Sequence, residues 1–259
     1  MSYPVATFGS MAADTDTIRS VANAKPSHVE YPDSDGKPMS DNTLQWDTIA
    51  YVVQALRAWF IYRLDVFVAG DLLWYYEEGN PKARVAPDGL IAFGRPPGYR
   101  GSYLQWVEDG ICPQVVFEVL SPKNTPIEMQ RKYASYARLG CMEYYLIDPY
   151  LKRIEGFERT DAGITFIADA IGRRSPQLGL ELRFDDEIFR FADEHGADLP
   201  NMVEAVGAAS RATAVIEEVS NRLIQSEAAR AAAQEHAERA TARADALAAK
   251  LHAIGIDPD

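Results

Sequence analysis

Two carboxylates in the middle of the chain stand where their chemistry needs an explanation. Glu118 interrupts the apolar run Val115-Val116-Phe117-Glu118-Val119-Leu120, which reads as a strand buried on both faces. A lone ionisable group there is costly unless it is paired or bound to a cation, or unless it sits at the strand's open end and caps a neighbouring turn. Asp88 follows Val85-Ala86-Pro87 at the start of another strand. Lys132 comes on the next helix, where Glu128, Lys132 and Tyr136 share one face by i, i+4 spacing. Taken alone, that triple is a surface salt bridge with a flanking Tyr. Two carboxylates from adjacent strand ends beside an ammonium, however, make a hard-oxygen site for Mg²⁺ or Mn²⁺. Such a cation lowers the pKa of its bound water and clamps a phosphodiester, and the Lys can orient the attacking water or stabilise charge developing on phosphorus.

The elements that must position these groups are readable from periodicity. Trp46, Ile49, Val53, Leu56 and Phe60 fall on one helix face, with Asp41 or Asn42 as N-cap. Residues 64–76 read as a strand, a turn at Gly70 and a second strand. Val85 to Phe93 is a strand interrupted by Pro87-Asp88-Gly89, and Gly94 to Gly110 is a loop. After the Val115–Leu120 strand comes a helix with Thr125 as N-cap, Pro126 at its first position, Glu128 completing a capping box and Gly140 as its stop. Glu143 to Ile147 is the next strand, so strand, helix and strand form a crossover between near-parallel neighbours. Beyond Tyr150 the pattern is all-β, with a hairpin around Asp161-Ala162-Gly163 and shorter strands at Leu178–Phe184 and Ile188–Phe191.

The chain therefore divides into an irregular N-terminal arm (1–40), an α/β domain (41–195) and a helical tail (201–253). The tail is rich in Ala, Glu and Arg, contains no Pro, and carries a 4-3 seam through Val219, Leu223, Ser226, Arg230, Ala233, Ala237, Ala240, Ala244, Leu247 and Leu251. That seam suits a coiled coil and a homo-oligomer. A single solvated helix is the alternative, because Ala buries little area.

Composition narrows the function classes. With 47% hydrophobic and 25% charged residues the chain is a soluble globular type, and no stretch approaches the ~20 apolar residues of a membrane span. A net charge of −12 excludes a coating protein of DNA or RNA, although not an enzyme that meets DNA at one local basic rim. Arg95, Arg100, Lys123, Arg131, Arg173 and Arg174 are candidates for that rim, with scattered surface charge as the alternative. Residues 1–20 lack a basic-then-apolar leader pattern, and Cys112 and Cys141 form no CxxC pair, which points to the cytoplasm and to two core thiols. The four His residues show no metal-binding spacing, and neither a phosphate-cradling Gly-rich loop nor a Gly-x-Ser-x-Gly elbow is present. Trp74, Tyr75 and Tyr76 read as sheet-packing aromatics.

The stretches VAPDGLIAFG, PQVVFEVLSPKNT and IEMQRKYASYARLGCMEYYLIDP, with DLLWYYEEGNP upstream, resemble the Uma-type restriction endonuclease family of the PD-(D/E)XK nuclease superfamily, over about residues 40–190. The resemblance implies a restriction-endonuclease-like core, a mixed central sheet flanked by helices, and divalent-metal-dependent cleavage of DNA phosphodiesters. On it, Asp88 matches the acid of the Pro-Asp pair and Glu118 the acid of the second strand, together holding Mg²⁺ or Mn²⁺. The superfamily Lys would fall where this chain has Leu120. In this family the role moves to the following helix, which points at Lys132, with Lys123 as competitor. Ser121 matches a position that supports the second carboxylate, Tyr136 shares the face of Lys132, and Asp71 is a further metal-site candidate that also suits a turn. Two functions follow: a metal-dependent DNA endonuclease, or an inactive nuclease-fold scaffold that works through its helical tail.

Overall fold

Alternation along one short strand organises the core. All five residues of the strand Val115–Val119 are buried, and a period of two sends Val115, Phe117 and Val119 to one side and Val116 and Glu118 to the other. The structure, a computed structural model, describes residues 29–34, 36 and 38–253. The first part of the expected N-terminal arm, through residue 28, lies outside the described residues. The chain falls into two compact units, residues 1–202 and 203–259.

In the first unit, six strands form a mixed sheet. They are β1 (Val66–Ala69), β4 (Gly89–Phe93), β6 (Val115–Val119), β7 (Glu143–Asp148), β8 (Arg153–Thr160) and β9 (Gly163–Ile167), neighbours in that order. Only the β6–β7 pair is parallel; the others are antiparallel. Helix α1 (Thr43–Trp59) covers one face together with the small sheet of β10 (Arg173–Arg174), β11 (Glu181–Asp185) and β12 (Ile188–Ala192). Ile49, Val53 and Leu56 pack there against Val66, Ile91, Phe117 and Phe191. Helix α2 (Pro126–Leu139) lies on the opposite face, where Met129 and Tyr136 meet Val116, Tyr144 and Leu146. This is a three-layer α/β architecture, with the parallel pair joined through α2.

Both helices begin and end as their sequences dictate. Asn42 caps α1 by accepting from the Gln45 backbone N–H at 3.1 Å, and Thr125 caps α2 by accepting from that of Glu128 at 3.3 Å. Gly140 ends α2 in the left-handed region at φ 101°, which a residue without Cβ adopts freely. One detail of α1 departs from the expected stripe. Trp46 is 44% exposed, and the buried face runs through Gln45 and Thr48 into Ile49 and Val52. The helix can bury Gln45 because its amide finds backbone partners on both sides.

The stretch 64–76 also departs from expectation. Its first strand, β1, joins the central sheet, while β2 (Trp74–Tyr75) pairs with β3 (Arg84–Val85) and β5 (Tyr103–Leu104) in a separate sheet. The loop at 94–110 therefore contains a short strand. Tyr31 from the arm, only 1% exposed, packs on this small sheet against Tyr75 and Trp106.

Gly156, opposite Tyr145 in the β7–β8 register, marks a close backbone approach. A Cβ there would lie 1.8 Å from the Tyr144 carbonyl oxygen. Main-chain atoms in mid-sheet cannot yield, so Gly156→Ala is expected to lose about 3 kcal/mol or more. Urea unfolding with an unchanged m-value would measure it, and a loss within experimental error would show that β7 and β8 do not approach this closely.

The second unit contains α3 (Met202–Ala253), 52 residues long, of which none is buried. Arg222 pairs with Glu218 and Arg239 with Glu235 at i, i+4 along it. Among the described residues no helix is long and apolar enough to cross a membrane.

Candidate active site

Asp88 and Glu118 reach one cleft through the antiparallel pairing of β4 and β6. Gly89 pairs with Phe117, so one step further Asp88 comes abreast of Glu118. Pro87 donates no backbone hydrogen bond and ends the strand ladder there. The Asp88 Oδ2 accepts from the Val119 N–H at 2.7 Å. Its other oxygen has no hydrogen-bond partner among the described residues, and Asp88 lines a cleft of about 440 Å³ together with Asp41, Gln45, Asp71, Glu118, Ser121, Lys123 and Lys132.

Glu118 is 1% exposed. Its Oε2 accepts from Lys132 Nζ at 2.7 Å and its Oε1 from the Tyr136 hydroxyl at 2.6 Å. Helix α2 delivers both donors because residues four apart stand one above the other on its face. Glu128, which opens that face, also lines the cleft, but Lys132 turns to Glu118 instead of forming a surface pair with it. Tyr136 is locked by stacking between Trp74 and Tyr144.

The electrostatics follow from burial and like charge. Burial, and then the neighbouring Glu118 charge, hold the Asp88 carboxyl well above the usual carboxylate range. For Lys132, burial works against charging, but Glu118 and Asp88 outweigh it and the ammonium titrates above its ordinary value. Burial, and then Glu118, push the Tyr136 phenol well up, so it keeps its proton and acts as a donor.

A second network borders the first. Asp41 accepts from Ser121 Oγ at 2.7 Å and from Lys123 Nζ at 2.6 Å, and these hydrogen bonds hold its carboxyl below the usual range. The Gln45 Nε2 donates to the Val119 carbonyl at 3.0 Å while its Oε1 accepts from the Asp41 N–H at 2.8 Å. The Val119 peptide, directly after Glu118, is thus gripped by Asp88 on its N–H and by Gln45 on its carbonyl. Asn124 Oδ1 accepts from the Ser121 N–H at 2.8 Å and closes the turn.

The structure thus brings Asp88, Glu118, Lys132 and Tyr136 together, and Ser121 and Lys123 with Asp41 on the neighbouring wall. Asp71 lines the same cleft from an exposed turn, at φ 47°. Gln45 and Asp41 were not legible as site residues. A buried amide in an apolar helix stripe was the available signal for Gln45, and Asp41 is freed for the cleft because Asn42 does the capping. Five of the six candidates for a basic rim are held in ion pairs, and the sixth, Arg131, is exposed on α2. Arg95 and Arg100 both pair with Glu108, Arg173 with Glu158, Arg174 with Glu181 and Lys123 with Asp41. Trp74 and Tyr75 are fully buried packing aromatics.

Residues 20–183 match the profile of the Uma2 family, described as "putative restriction endonuclease". The chain belongs to that family. Among solved structures it is similar to a putative nuclease belonging to DUF820 from Anabaena variabilis, with 13% identity, a TM-score of 0.39, and coverage of 53% of this chain and 76% of that one. No curated protein matches the chain.

Proposed function

We propose that this protein is a divalent-metal-dependent DNA endonuclease, with Asp88 and Glu118 as the metal-holding carboxylates and Lys132 as the catalytic cation. The observation that carries the reading is the convergence of a buried, doubly hydrogen-bonded Glu118 with Asp88, one oxygen of which has no partner among the described residues, in the lining of the same cleft. Membership of a family described as restriction endonucleases supports it.

The donor set suits Mg²⁺ or Mn²⁺. Among the described residues no group of three or more His, Cys, Asp or Glu forms a complete protein cage. Mg²⁺ does not ask for one, since it takes one or two carboxylates and keeps water and substrate phosphate as its remaining ligands. A carboxylate offers about four lone-pair sites, so Glu118 can receive Lys132 and Tyr136 and still serve a cation. When bound, the cation supplies Lewis-acid polarisation and charge neutralisation at a phosphodiester.

The chain's own groups do the rest. Lys132, charged and fixed by Glu118, presents N–H donors where negative charge grows on phosphorus. It is no general base, because its ammonium holds its proton firmly. Tyr136 orients Glu118, and the Gln45–Val119–Asp88 clamp holds the two acid-bearing strand ends in register. With Arg95, Arg100, Arg173 and Arg174 held by acids, the cation and Lys132, with the exposed Arg131 on the same helix, are left to attract the DNA backbone. The test is cleavage of supercoiled plasmid in Mg²⁺ or Mn²⁺, which chelator stops. Undiminished nicking in chelator would remove the metal from the reaction.

A second property belongs to the tail. Ile216, Val219 and Leu223 are exposed at spacings of 3 and 4 on a helix with no buried residue. Such a stripe is the seam of a coiled coil, and we infer self-association through it. Sedimentation of the full chain is expected to give an oligomer mass, and the double variant Val219→Glu, Leu223→Glu the mass of one chain. Equal masses would end the idea.

A further inference from the structure

Beside the cleft, on the other flank of α2, lies a larger cavity of about 570 Å³. The first turns of α2 form the ridge between the two. Glu128 and Lys132 line the cleft, while Gln130 and Tyr133 line the cavity, and Asn124 lines both. The volume is that of a small-molecule site.

The lining of the cavity is specific in chemistry. Tyr133 and Phe166 meet at 6.2 Å between ring centroids, and Phe166 is 57% exposed although large and apolar. Tyr144, 1% exposed, forms part of the wall, yet among the described residues its hydroxyl has no hydrogen-bond partner. An orphaned buried hydroxyl is costly and rare in a native protein. Burial, and then the Glu118 charge, push this phenol well up, so it is an O–H donor without an acceptor. The cavity is also lined by Asn124, Gln130 and Glu155. Neither Lys nor Arg is among the lining residues, so the cavity does not suit a phosphate.

The group that fits is flat, uncharged, and edged with both hydrogen-bond donors and acceptors. We propose that this cavity receives an unpaired nucleobase of the DNA strand whose phosphodiester lies in the neighbouring cleft, which makes single-stranded or locally unpaired DNA the preferred substrate. The proposal rests on the reading of Asp88 and Glu118 as the cleaving centre. The base stacks against Phe166 and Tyr133, a base carbonyl accepts a hydrogen bond from the Tyr144 hydroxyl, and an exocyclic amino group can donate to Glu155. A paired base cannot enter, because its edge and faces are occupied within the duplex. Asn124, which lines both, makes the cavity and the cleft neighbours.

The test is fluorescence anisotropy with the full chain in Ca²⁺. One probe is a labelled oligothymidylate; the other is the same strand paired with oligodeoxyadenylate. Cleavage of both is followed separately in Mg²⁺. The single strand is expected to bind more tightly than the duplex. Phe166→Ala should weaken the single strand about tenfold, the worth of one stacked base, and leave the duplex unchanged. Tyr144→Phe should weaken the single strand about fivefold, the worth of one hydrogen bond, while the free protein melts no lower than wild type because an orphaned polar group has been removed. A purely structural Tyr144 would not separate affinity from stability in this way. Equal single-strand binding by wild type and both variants would overturn the pocket, and continued Mg²⁺-dependent cleavage would then leave the nuclease reading standing. Binding that needs Phe166 without cleavage of either DNA would keep the pocket and overturn the nuclease reading. Failure of the wild type to bind the single strand would overturn the pocket outright.

Discussion

Glu118→Gln is expected to reduce metal-dependent cleavage by about 10³-fold or more, the scale on which a directly acting group is lost. The substitution keeps the shape and an acceptor for the Tyr136 hydroxyl, but it removes the charge that pairs with Lys132. Two consequences separate. The site loses a hard ligand, so higher Mg²⁺ does not restore activity. The fold is left with an ammonium that burial penalises and, without its ion-pair partner, only the Asp88 charge to offset it, which is expected to lower stability by about 3 kcal/mol. Adding Lys132→Met removes the stranded charge, so the double variant should recover much of that stability while remaining inactive. Plasmid nicking and urea unfolding of the three proteins check this together. Full activity in Glu118→Gln would take Glu118 out of the reaction, and equal stability of the single and double variants would deny the coupling to Lys132.

Asp88→Asn is expected to stabilise the metal-free protein at neutral pH while abolishing its response to metal. The wild-type Asp88 carboxyl is held well above the usual range by burial and by Glu118, so the folded chain binds that proton more tightly than the unfolded chain. By linkage, the resulting stabilisation is complete below the ordinary carboxylate range and is lost as the pH rises through the raised folded value. Asn has no such proton to lose and still offers an oxygen to the Val119 N–H. Melting curves of the two proteins should therefore converge near pH 4 and separate towards pH 8, with the variant ahead by about 1–2 kcal/mol, a usual gain when a functional strain is relieved. Mn²⁺ at about a hundred times its Kd should stabilise the wild type by about 2.7 kcal/mol and leave the variant unmoved. A difference between the two proteins that stays constant from acid to neutral pH would contradict the strain at Asp88.

What the sequence disclosed and what it withheld divide along chain distance. Glu118 was conspicuous because a charge in an apolar strand contradicts its neighbours, and α2 was bounded by local chemistry at Thr125, Pro126 and Gly140. Helical spacing placed Lys132 and Tyr136 on one face, and the family resemblance singled out Lys132. Asp41 and Gln45 were hidden because their partners, Ser121, Lys123 and Val119, lie more than seventy residues away, and nothing in the local pattern marks such a pairing. The separate sheet of β2, β3 and β5 was hidden for the same reason, its strands being two residues each. The ion pairing of the rim candidates was hidden too, because a count of cations does not reveal which acids, Glu108 above all, already hold Arg95 and Arg100.

The grip on the Val119 peptide has a consequence for biosynthesis. Its two clamps and the acids it aligns come from positions 45, 88 and 118, so no stretch made of near neighbours can assemble the candidate site. Contacts of this range form only after long loops have closed. On the proposed function, a nascent or half-denatured chain would therefore be inactive, and competence would arrive together with the finished tertiary structure.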